Sequence, residues 1–331
     1  MHQDSHHANP ISHQVVKYLT SLIGLLLSLL LSSTAIADCR QEPTPTCLLQ
    51  TAIQLWQQLD PNDSHRAALA AQLGYEASHY HVSFASDEGQ KTEASTLQQL
   101  RTEDKFIQSL RNNRFPQGKA LLATLNSPLQ DSFAAAPQAL FIEYLTLALQ
   151  DQQADSFKKK YYETLVKLDD TSRTLRMIEV SRHEILGGQP DKGLHTLANT
   201  GVDEFSDSAM LNDKIATEIL ASQSQLLFLH PEDQIQDCNT SSQIAYAAAD
   251  YLKPTFLSLQ RKINNIPDER IRLRTRLEVA HLFHNSEQCT LLTRWLVAQT
   301  IQEAVSTNPI ASDATVRRLI YLTRSIRRYI F

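Results

Sequence analysis

Two Glu-x-x-His motifs, Glu76-Ala-Ser-His79 and Glu278-Val-Ala-His281, are the sharpest chemical pattern in this 331-residue chain. On a helix, an i, i+3 spacing sets a carboxylate and an imidazole on one face. Di-iron helical bundles bring two such pairs, with two further glutamates, onto a shared metal centre. Glu76, His79, Glu278 and His281 are therefore the candidate metal ligands of a helical di-metal enzyme. Composition weighs against this, because 16 Glu and 12 His supply about 0.6 such motifs by chance. The two motifs also lie at opposite ends of the chain, which an elongated helical stack keeps apart. His183-Glu184 opens like a zinc-protease helix, but Gly187 stands where the second His is needed. No nucleophile elbow, Walker loop or Rossmann glycine pattern occurs. The residue types point to a non-catalytic protein that works by contact and needs no cofactor.

Four cysteines remain to be placed: Cys39, Cys47, Cys238 and Cys289. An even count in an exported chain favours disulfides, and three pairings exist. The preferred pairing is Cys39–Cys47 with Cys238–Cys289. The first would close a short loop containing Pro43 and Pro45 and pin the start of the mature chain, for roughly 2–3 kcal/mol. A metal site built from His281, His284 and Cys289 is the alternative, with spacing looser than zinc sites favour.

Export is read from the first 37 residues. Met1–Tyr18 is polar and contains Lys17, Leu19–Leu31 is nearly all apolar, and Ser32–Ala37 ends in a small-x-small pattern. This is a signal peptide, with cleavage expected after Ala37 and the product periplasmic or extracellular. The apolar run is shorter than the ~20 residues of a membrane span, although counting on to Ala37 keeps an uncleaved anchor as the alternative.

The charges are unevenly distributed. Residues 38–249 hold 17 basic and 28 acidic side chains, whereas residues 250–331 hold 13 basic and 7 acidic. In the last helical segment Arg317, Tyr321, Arg324 and Arg328 recur at helical spacing, away from the apolar face. They form a candidate partner-binding stripe for an unidentified protein or an anionic envelope component such as a lipid head group or cell-wall polymer. This basic helix would then dock the protein on a membrane or cell wall. An exported protein of net charge −5 is no candidate for nucleic-acid binding.

The elements that carry these residues are helices. Only 8 Gly are present, far below the usual share, and all-β folds consume Gly in turns. Apolar residues recur at three and four along successive segments, no segment alternates at period two, and ten to twelve helices are expected in residues 38–331. Ser132–Gln150 is apolar on most sides and belongs in the middle of the stack. Three turns share an apolar residue, an acidic turn and an arginine at the head of the next helix: Leu59-Asp60…Arg66, Leu168-Asp169…Arg173 and Ile266…Arg270. The clearest hairpin is Leu168–Ala198, two amphipathic helices joined by Gly187-Gly188-Gln189-Pro190. Ser181, Gly188, Gly193 and Leu197 fall at small and apolar positions, and over these 30 or so residues the hairpin resembles a tetratricopeptide unit. The resemblance implies an α-solenoid scaffold, and the fold expected is an all-α, irregular stack of helical hairpins in one domain. Its acidic part would be residues 38–249 and its basic part residues 250–331.

Overall fold

The structure, a computed structural model, describes residues 39, 42–84, 86, 94–125, 136–202, 207–229, 253–285, 290–306 and 310–330. These residues form thirteen helices and no strand, so the all-α architecture is as expected. In order they are α1 Pro45–Gln57, α2 Arg66–Tyr80, α3 Ala94–Arg111, α4 Phe115–Leu122, α5 Pro137–Leu147, α6 Asp151–Leu165 and α7 Asp170–Leu186. There follow α8 Pro190–Ala198, α9 Ser208–Leu229, α10 Lys253–Asn264, α11 Glu269–Asn285, α12 Thr290–Ser306 and α13 Asp313–Tyr329. The expected signal peptide, Cys238 and Cys289 lie outside the described residues. The Cys39–Cys47 disulfide is present and lies at the head of α1.

Local chemistry sets the helix boundaries. The Thr44 hydroxyl accepts from the Cys47 amide at 3.2 Å, and Pro45 supplies a first residue that needs no amide partner. Asp169 caps α7 by accepting from the Ser172 amide at 2.8 Å. At the other end of α7, Gly188 takes φ +86°, the Gln189 amide reaches back to the Glu184 carbonyl and the Gly188 amide to that of Ile185. This is a Schellman closure, which only a residue tolerant of positive φ completes cheaply. Two of the three arginine-headed turns are clamps. Arg66 donates to the carbonyls of Trp56 and Leu59 with its guanidinium 4.3 Å above the Trp56 ring, and Arg272, two residues beyond the expected Arg270, donates to that of Ile266.

Neighbours in sequence pack as hairpins, α7 on α8 and α11 on α12 most closely, but the stack is not open-ended. The last helix returns to the first: α13 lies against α1 and α2, and α12 also reaches α1. One core therefore runs from Cys39 and Leu48 to Ile330, and the division into acidic and basic parts does not divide it. Helix lengths from 8 to 22 residues follow no fixed period. The hydrophobic helix α5 sits centrally, touching α3, α4, α6 and α7.

Candidate binding cleft and the ionic networks around it

Three consecutive charged or polar residues of α7, Arg182, His183 and Glu184, are all buried. Successive residues point about 100° apart around a helix, so each meets a different neighbour. Arg182 forks onto Glu278 of α11, with Nε 2.9 Å from Oε1 and Nη2 on Oε2, and also reaches Thr217 of α9. His183 Nδ1 lies 2.6 Å from Oε2 of Glu143 in α5. Glu184 accepts from Lys158 of α6 at 2.5 Å and from the Thr196 hydroxyl of α8 at 2.6 Å. Arg274 pairs with Asp213 beside the first fork, and burial and the adjoining Arg182 charge bring its pKa down to about 10.

Glu143 stands between two imidazoles. Its second oxygen is 2.8 Å from Nε2 of His281, whose Nδ1 donates to the Tyr329 carbonyl at 2.8 Å. Burial pushes the Glu143 carboxyl up, but the His281 charge and the bonds from both histidines outweigh it and hold the pKa at about 2. Each carboxylate oxygen thus serves one ring.

The two Glu-x-x-His motifs enter separate networks. Both oxygens of Glu76 are taken by the last helix, Oε1 by Arg324 Nε at 2.6 Å and Oε2 by Arg327 Nε at 2.9 Å. Burial opposes ionisation of Glu76, and the two guanidinium charges win, so its pKa is lowered. His79 is half-exposed beside Tyr75, 3.7 Å from Asp104, and burial together with Arg327 keeps it below the ordinary imidazole range. Glu278 is held by Arg182 and His281 by Glu143, as above. Among the described residues no group of three or more His, Cys, Asp or Glu side chains is placed to hold a metal ion.

The basic stripe needs correction. Arg317 is half-buried and pairs loosely with Asp313 at 3.5 Å, and Tyr321 is likewise half-buried, with the Arg324 guanidinium 5.7 Å from its ring centroid. Arg324 and Arg328, however, are 0% and 3% exposed. Arg328 donates to Asp104 at 2.8 Å and to Glu103 at 2.9 Å, both on α3. Arg324 and Arg328 are therefore not available to a partner: the acidic side chains of α2 and α3 cover them. The excess of basic residues near the C-terminus largely answers the excess of acidic residues before it, inside the fold.

Among the described residues, a surface feature suited to a ligand lies elsewhere. Helices α4, α5 and α6 enclose a cleft of about 500 Å³, within the range of ligand-holding clefts, roughly 300–1,000 Å³. Phe115, Phe141 and Leu145 are its buried base. Phe141 meets Phe115 edge-on with centroids 6.2 Å apart and the half-buried Phe157 at 4.8 Å. Lys119 and Lys160 are exposed at the rim, and Gln152, Gln153 and Ser156 line the α6 side. Set against protein-family models, curated proteins and solved structures, the chain matches none.

Reading apolar stripes alone passes over both features. Glu143 is the one charged residue in the apolar helix Pro137–Leu147, and an ionisable group so placed demands a buried partner. The three phenylalanines come from three helices and carry no joint signature in sequence.

Proposed function

We propose that the protein is an exported, non-catalytic helical scaffold that acts by holding another protein, and that the cleft between α4, α5 and α6 is its contact surface. The cleft carries the reading: it opens to the surface above a buried aromatic base, whereas most of the prominent ionisable clusters are bound to one another in the interior. The export reading draws on the Leu19–Leu31 apolar run before Ala37 and on the Cys39–Cys47 disulfide. No described helix is long and apolar enough to cross a membrane.

Site-specific photo-crosslinking in the native envelope tests this. A crosslinker at Ser156, on the cleft wall, should trap a discrete protein adduct that one at the exposed Glu218 of α9 does not. The trapped chain should begin at Asp38. Identical adducts from both positions, or none from Ser156, would remove the cleft from consideration as the contact surface.

A further inference from the structure

Resting on that reading, we infer that the cleft's occupant is an acidic peptide segment of the partner carrying one large apolar side chain. Three observations converge on this chemistry. First, the base is a cluster of phenylalanine rings under a cleft of about 500 Å³, room enough for one bulky side chain. Second, Lys119 on α4 and Lys160 on α6 stand at the rim, and no carboxylate lines the cleft. Two nearby lysines are paired instead, Lys158 of α6 with Glu184 and Lys192 of α8 with Asp155, each at 2.5 Å. Among the described residues neither Lys119 nor Lys160 has such a partner. Third, Gln152, Gln153, Ser156, Phe157 and Lys160 follow one another along α6 over about 12 Å, at 1.5 Å per residue. Their side-chain amides and hydroxyl both donate and accept hydrogen bonds, which matches the alternating N–H and C=O groups of an extended peptide. A lipid chain would leave them without partners, at a desolvation cost. Two separated cations on opposite sides of an apolar base then call for carboxylates on both sides of the apolar residue.

The full chain from Asp38 is titrated calorimetrically with three capped pentapeptides. One has four acidic residues around a central phenylalanine, one has four lysines around it, and one is acidic with a central alanine. Dodecanoate is the lipid control. The acidic phenylalanine peptide should bind at least tenfold more tightly than the other two peptides and than dodecanoate. Its affinity should fall at least tenfold in the Lys119→Glu/Lys160→Glu variant, which alters only exposed side chains. Equal binding of the lysine peptide, tighter binding of dodecanoate, or no effect of the double substitution would overturn the assignment. An adduct trapped at Ser156 alongside failure of the acidic peptide would remove this occupant and leave the contact surface standing.

Discussion

A carboxylate sealed inside a helical core survives only with cations or donors on both oxygens, and Glu143 has an imidazole on each. Glu143→Gln leaves two buried histidines without their shared anion, and removing one member of a buried pair costs about 3–5 kcal/mol. The pH dependence separates charge from packing. Because the carboxyl is held at about 2 against an ordinary 4.5, its contribution is complete above pH 4.5 and is lost as pH falls toward 2. Urea midpoints of the parent and the variant should differ most at pH 7 and converge as pH approaches 2. A gap that ignored pH would place the loss in packing. Glu76, Asp104 and Glu303 are also held low against their burial, by arginine neighbours, so the parent should weaken over the same acid window.

Between elements, the tightest approach is that of α7 and α8. The Ser181 hydroxyl donates to the Gly193 carbonyl at 2.6 Å, and a Cβ on Gly193 would stand 2.5 Å from Ile185 Cγ1 and 2.7 Å from the Ser181 carbonyl oxygen. Ile185 has rotamers to yield with, but the carbonyl of a buried helix has none. Gly193→Ala should therefore force the hairpin apart, for about 1–3 kcal/mol by thermal or urea unfolding. An unchanged midpoint would mean that α8 slides freely. This crossing could be read from the small residues Ser181 and Gly193, and the hairpin's ends from Asp169 and Gly188, because caps and close contacts are local. The face of α13 could not. A helical wheel shows that Arg324 and Arg328 oppose the apolar stripe, but not that Glu76 and Asp104 cover them from positions 248 and 224 residues earlier. Periodicity describes one helix, and burial depends on its neighbours.

At the level of the whole molecule, α13 closes the stack. Its apolar side packs on α1 and its arginine side neutralises Glu76, Glu103 and Asp104. Deleting residues 313–331 exposes a long apolar seam and strands three buried carboxylates together. The truncated chain should lose its cooperative urea transition by circular dichroism rather than merely fray at one end, as an open repeat array would. Retention of the parent midpoint would show that the closure is dispensable. The all-helical class was open to sequence reading through periodicity and the scarcity of glycine. The closure was not, since it depends on pairings between the two ends of the chain.

The run Arg182-His183-Glu184 has a consequence for how such a sequence can change over time. Removing or adding a single residue between Asp170 and Arg182 would turn all three groups by about 100°, aiming each at a slot built for another. Arg182 would lose Glu278, and Glu184 would leave Lys158 for an unsuitable partner. The connections between helices can lengthen or shorten, but α7 acts as an index mark against which the rest of the fold is aligned, and its length is fixed.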